Sequence, residues 1–414
     1  MEFFPFGWAF SVVLGKIFEV FVNPIFWLVV VLVGLQYRRI AAMRNAFLGP
    51  GASSVVGETL QAVGFGLLGG VIGSYLIVFT GLTFPGSVNA IIYILLTAVL
   101  LMMINPRFLC FAYAGGLLAI LHLLTGFPEI SVPQLMALVA ILHLVESVLI
   151  VASGHLNASP AYIRLPRGQV VGGYVLQKFW PLPLVLLAVL PGLHFAPGAM
   201  EMPEWWPLIK PELGIDPALM LFVMLPVVAG LGYGDMATSR TPREKTRTSA
   251  INLAGYSLVL YLLAYLAASQ PLYAWAAALF APFGHELIVF LSRNAELKGK
   301  PLYVPRSDGL LILAVREKSP AWSVGLRTGD LIFEVNGLPI RVKGDLYAVL
   351  AREGIQEIGF VTDNHYRREL VAVPAGGTFG VIPVPEGDEV NYLEMKPGLI
   401  TRWFRRAVDK KTAR

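Results

Sequence analysis

The sequence predicts an α-helical polytopic membrane domain of about nine transmembrane helices, followed by a small α/β domain. Three observations carry this. Of the 414 residues, 56% are apolar and only 14% are charged, against roughly 25% charged in an ordinary soluble domain. The mean hydropathy is +0.66. The charge is also unevenly spread. Residues 301–414 hold 16 Lys/Arg and 14 Asp/Glu, about as many as the 16 and 13 of the first 300 residues. A disordered chain and a purely soluble enzyme are excluded.

A spanning helix needs about 20 mostly apolar residues. Nine segments qualify: 20–36, 60–80, 88–104, 108–126, 132–153, 179–195, 218–233, 251–269 and 272–291. Residues 1–19 are apolar but carry Lys16 and Glu19, and they read as an interfacial segment before the first span. The polytopic domain then covers 20–292, with a linker at 293–300. No cleavable signal peptide is visible, because Met-Glu-Phe-Phe lacks a basic start.

The loops predict the orientation. Taken alternately, one set holds 14 basic residues, among them Arg38, Arg39, Arg44, Arg107, Arg164, Arg240, Lys245 and Arg293. The other holds Lys16 and Lys210. The positive-inside rule puts the N-terminus outside and everything after residue 292 in the cytoplasm of a plasma membrane. The net charge of +5 therefore reports loops and not nucleic-acid binding. The outer loop 194–217 carries Trp205 and Trp206 among four acids, as an interfacial cap does. Cys110 is the only cysteine, so no intrachain disulfide can form, and its place in an apolar run reads as a small buried hydrophobe.

Residues 301–384 read as the small mixed domain. Leu310–Val315 is a strand after Asp308-Gly309, Ser319-Pro320 starts a helical turn, and Leu331–Val335 leads into the turn dipeptide Asn336-Gly337. Asp345–Glu353 is a helix, and two further strands follow at 355–361 and 366–373. The run SPAWSVGLRTGDLIFEVNGLPI resembles the bacterial PDZ signature, in which SPA, GL, GD, a hydrophobic strand and NG recur in that order. The resemblance implies a module that binds an extended peptide as an added strand. It implies Asp308, Gly309, Leu310 and Leu311 as the carboxylate loop. It also implies Leu311 to Ala314, including Ile312, as the free edge, and Leu346 and Leu350 as the pocket wall. The same leucines read equally well as plain core.

The tail at 385–414 ends in GLITRWFRRAVDKK. It puts Trp403 and Phe404 on one helical face and Arg402, Arg405 and Arg406 on the other, a pattern suited to an anionic membrane surface.

Few polar residues lie within the apolar segments, where such groups are costly and mark function. His285-Glu286 begins like the zinc-protease helix HExxH, but Val289 stands where the second histidine belongs. One His and one Glu cannot fix a metal without two more ligands. His143 and Glu146 share a helix face and read as a hydrogen-bonded pair between helices. The loop 234–250 mixes basic residues with Ser and Thr and reads as a positive anchor. No catalytic residue, metal or cofactor is implied.

This layout, with HLVES, GYGDMATSRTPREKTRTSA and GHELIVFLSR, resembles the MinJ-like polytopic PDZ proteins of Gram-positive bacteria, a family of cell-division topology determinants. The resemblance implies a non-enzymatic scaffold at septum and poles whose partners are DivIVA-like and MinD-like proteins. The rival readings are a PDZ adaptor for membrane proteolysis, a degenerate intramembrane metalloprotease, and a transporter with a regulatory PDZ domain.

Overall fold

A computed structural model describes residues 3–49, 53–85, 89–191, 200–210, 220–351, 354–373, 378–387, 389 and 391–394. The tail residues Arg402, Trp403, Phe404, Arg405 and Arg406 lie outside these. In chain order, the membrane domain holds α1 (Phe6–Val20), α2 (Pro24–Leu48), α3 (Val55–Thr80), the short strand β1 (Thr83–Pro85) and α4 (Asn89–Ile104). A 3-10 turn at Pro106–Leu109 leads to α5 (Phe111–Thr125) and α6 (Val132–Ser153). Then come β2 (Ser159–Arg164), β3 (Val170–Pro191), β4 (Met220–Ala237), α7 (Pro242–Ala267) and α8 (Pro271–Lys298).

Among the described residues, five helices are long and apolar enough to cross a membrane: α2, α3, α6, α7 and α8. Their ends follow the local sequence. Asn23 and Ser54 cap α2 and α3 through their side chains. Thr241 and Glu244 form a reciprocal capping box ahead of α7. Gly81, in the left-handed region at φ 69°, stops α3.

The other four predicted spans are corrected. Of segments 179–195 and 218–233, the described residues 179–191 and 220–233 are not helical but lie in β3 and β4, a long antiparallel pair from Tyr174↔Ala237 to Pro191↔Met220. The cause is Pro181 and Pro183, since each would remove a hydrogen bond and clash inside a helix. In β3 they suit the unpaired edge that faces α3. Along that edge Phe179 meets the Tyr37 hydroxyl at 3.3 Å, and the Val185 N–H donates to Ser74 Oγ at 2.9 Å. Between them stand the two prolines, which have no N–H to satisfy. Parallel pairing with β1 takes over at Leu187–Val189. Non-helical backbone at membrane depth is tolerated only where protein buries it. Here α3 and α1 supply the burial, with Val13 and Ile17 of α1 clustered with Val185, Leu187, Phe222 and Met224.

Within segments 88–104 and 108–126 the helices are α4 and α5, of only 16 and 15 residues. At 1.5 Å per residue each is under about 25 Å, short of the roughly 30 Å hydrocarbon core. Their connecting turn reaches side chains at the middle of α6 and α8, so they form a re-entrant hairpin. Glycines seat it. A Cβ on Gly115 would meet Val139 of α6 at 3.0 Å, and one on Gly116 would meet Pro282 of α8 at 2.5 Å.

Polar joints tie the other helix ends. Arg44 Nη1 pairs with Glu58 Oε1 at 2.6 Å, both side chains 7% exposed, and the guanidinium also donates to Ser53 Oγ, Ser159 Oγ and the Asn157 carbonyl. Glu296 of α8 accepts the N–H groups of Thr238 and Ser239, while Lys245 reaches Asp235, Glu296 and Ser292. These contacts absorb the predicted anchor loop 234–250 into a packed junction.

The C-terminal domain contains β5 (Leu310–Val315), α9 (Pro320–Ser323), β6 (Leu331–Val335), β7 (Leu338–Pro339), α10 (Lys343–Leu350), β8 (Gly354–Thr362), β9 (His365–Val373) and β10 (Val381–Pro383). The strand order is β10-β5-β6-β8-β9, with β7 on β6. Leu310, Ile312, Ile332, Leu346, Ile358 and Phe360 form its core. Leu311 and Leu313, on the opposite face of β5, join the membrane domain's largest apolar cluster together with Ala314. Tyr174 of β3 donates to the Leu313 carbonyl, and the Gly172 N–H donates to Tyr303 O at 2.8 Å. A last strand, β11 (Leu393–Glu394), pairs with β2.

Candidate functional site

Two constellations stand out, one in the C-terminal domain and one at the tip of the re-entrant hairpin.

In the domain, Asp308 is exposed and paired with Arg306, Nη2 to Oδ2 at 2.6 Å. This partner holds its carboxyl below the ordinary range. Gly309 is packed on β6, where a Cβ would meet the Ile332 carbonyl oxygen at 2.7 Å. Leu310 and Ile312 are core, Leu311 faces the membrane domain, and Leu346 is fully buried with Leu350 beside it.

The expected free edge on β5 is taken. β6 pairs one side through Leu310↔Ile332, and β10 pairs the other through Val381↔Val315 and Ile382↔Ala314. The Arg316 N–H donates to the Gly380 carbonyl at 2.7 Å, so strand alternation turns the Val381 backbone groups outward. The open edge therefore belongs to β10, some 70 residues later in the chain. Gly380 is required there. Its φ is +89°, and a Cβ would lie 2.2 Å from that of Ser319. Sequence reasoning missed Gly380 and Val381, and the signal was the glycine-led apolar run TFGVIP.

The membrane domain reaches this edge. Tyr162 of β2 donates to the Pro383 carbonyl at 3.0 Å and packs edge-on against Phe47 of α2. Past β10 the chain turns back to α10, where the Lys343 N–H donates to Glu386 at 2.6 Å and its ammonium meets Glu389 at 3.3 Å.

At the hairpin tip, Cys110 Sγ lies 3.0 Å from His143 Nε2 of α6 and 3.7 Å from His285 Nε2 of α8. All three donor atoms lie within 4.8 Å of one another. Both imidazoles are oriented from behind. His143 Nδ1 contacts the Val139 carbonyl at 2.7 Å, and His285 Nδ1 contacts the Tyr113 hydroxyl at 3.3 Å. Tyr113 donates in turn to Glu286 Oε2 at 2.8 Å, and Arg107 pairs with the same carboxylate. Tyr256 sets its ring edge-on to both histidines. His285 is thus joined by Cys110 and His143 from distant elements, one of them the cysteine read as a small buried hydrophobe, while Glu286 is held by Arg107 and Tyr113. His143 and Glu146 do share a face of α6, and it is His143 that turns into the cluster.

The PDZ domain family model matches residues 311–354. Cell division topological determinant MinJ of Bacillus subtilis (strain 168) is 23% identical over 349 residues, covering 80% of this chain and 83% of MinJ. This chain is MinJ-like and carries a PDZ domain at its C-terminal end. Among solved structures, the PDZ domain of an SdrC-like protein from Listeria monocytogenes matches at 20% identity. It covers 19% of this chain and 90% of that one, with a TM-score of 0.17. The MinJ similarity extends far beyond the PDZ segment, and so into the membrane domain that holds the Cys/His cluster.

Proposed function

We propose that this chain is a non-enzymatic membrane scaffold that helps place the division septum, with its PDZ domain in the cytoplasm. The observation that carries the reading is the MinJ similarity, which runs over four-fifths of the chain and is not confined to the PDZ segment. Its partners on this reading are DivIVA-like and MinD-like proteins, bridged at septum and poles.

Partner capture is assigned to the outer edge of β10 beside α10. Val381 offers an outward N–H and C=O there, and an added strand is the usual mode of such a domain. Tyr162 already donates to Pro383 at this edge, so a partner strand must compete with the chain's own membrane domain. The non-enzymatic reading is supported by Glu286. Its carboxylate is engaged by Arg107 and Tyr113, and a general base must be free to take a proton.

A C-terminal green fluorescent protein fusion, imaged in the native bacterium, tests the proposal. Bright bands at septa and poles are expected. An even glow around the cell overturns the division role, and a dark fusion in the membrane overturns the orientation.

A further inference from the structure

The geometry points to a zinc site at the re-entrant tip, with Cys110, His143 and His285 as its three protein ligands and water in the fourth position. A thiolate and two imidazoles are a donor set that zinc favours. A zinc ion about 2.3 Å from sulfur and 2.0–2.1 Å from nitrogen sets its ligand atoms about 3.6 Å apart. The sulfur-to-nitrogen distances of 3.0 and 3.7 Å straddle that value, so the ion enters with a shift of about half an ångström at Cys110.

The imidazoles are already in the required tautomer. His143 gives its Nδ1 proton to a backbone carbonyl, and His285 gives its own to Tyr113, whose proton goes to Glu286. Both Nε2 lone pairs therefore face the sulfur. A ligand histidine backed by a hydrogen-bond acceptor is the recurrent second shell of zinc sites.

The three ligands come from three elements: the start of α5, the middle of α6 and the middle of α8. Zinc would clasp the re-entrant hairpin to the helix that leads into the PDZ domain. With Glu286 occupied by Arg107, the role assigned is a clasp and not hydrolysis.

The test uses the full chain in detergent, loaded with zinc alone and washed. About one zinc per chain is expected, falling at least tenfold in Cys110→Ser, His143→Gln and His285→Gln. Cobalt substitution should give a thiolate-to-metal charge-transfer band that Cys110→Ser lacks. Tyr113→Phe, which removes the hydroxyl behind His285 without touching a ligand atom, should weaken zinc binding by about tenfold.

Because Cys110 is the only cysteine, alkylation of the unaltered protein reads this one residue without any variant. Zinc should slow labelling, and a chelator should restore it. Background zinc in the loaded protein, equal zinc in all three ligand variants, or one labelling rate in zinc and in chelator would each overturn the site and leave a Cys–His hydrogen bond only. Retention of copper in place of zinc when both ions are offered together would overturn the choice of ion.

Discussion

Gly70 of α3 lies against the carbonyl oxygen of Pro183, so close that a Cβ at residue 70 would come within 2.1 Å of it. Gly66 stands in the same relation to Pro181 one turn earlier. Gly70→Ala and Gly66→Ala should each push α3 off β3 and cost about 1–3 kcal/mol or more, as overpacking does. Gly64 has no atom within 4 Å of its would-be Cβ, so Gly64→Ala on the same helix is the matched control. Thermal unfolding in detergent reads the difference. Equal melting of Gly70→Ala and Gly64→Ala would remove the close approach.

The prolines of β3 should be stabilising where they stand. Pro181→Ala and Pro183→Ala each restore an N–H on the edge facing α3, and it finds no partner there. A buried, unsatisfied donor costs about 1–3 kcal/mol. A drop in unfolding midpoint is expected from a change that usually relaxes a chain, and an unchanged midpoint would refute the edge assignment.

Arg44→Met leaves Glu58 charged and buried. Removing one partner of such a pair costs about 3–5 kcal/mol, and an apolar double replacement recovers much of it. The double variant Arg44→Met/Glu58→Met should therefore be more stable than Arg44→Met alone. Chemical denaturation of the full chain compares them, and a double variant no better than the single one counts against a buried pair.

Asp345 accepts the N–H groups of Arg341 at 2.9 Å and Val342 at 3.1 Å at the start of α10. Those donors hold its carboxyl below the ordinary range. A depressed folded value gives stability that is present above the unfolded value near 3.9 and lost as pH falls through the folded one. Asp345→Ala should cost about 0.3–1.5 kcal/mol at neutral pH, as loss of a capping-box acceptor does, and flatten that acid limb. Hydrogen exchange along α10, followed against pH, checks both. Identical profiles for the two proteins would show that the cap contributes nothing.

Gly309→Lys and Leu311→Lys should unfold the PDZ domain and not merely blind it. Gly309 has a β6 carbonyl against it, and Leu311 is 7% exposed. Limited proteolysis of the full chain distinguishes these outcomes. A protease-resistant domain carrying either change would restore these residues to a ligand-facing role.

Much of this was legible in the sequence, for identifiable reasons. The five long helices announce themselves by length and apolarity, and the PDZ segment by its turn dipeptides and glycines. The strand pair was not legible by hydropathy, because a buried strand and a buried helix are equally apolar. Prolines two residues apart, at 181 and 183, held the distinguishing signal. The open edge at Val381 was hidden because strand order depends on long-range pairing. The ligand cluster was hidden for a related reason: Cys110, His143 and His285 are neighbours only after three helices pack, which no local spacing reports.

The two corrected pairs of segments bear on sidedness. A hairpin of strands and a half-depth hairpin of helices each return the chain to the face it left, as two full helical crossings do. Parity is therefore preserved. A tally of basic loops can keep the right relation between flanking segments while mistaking what lies between them, so the side of the PDZ domain and the architecture of the membrane core are separate questions.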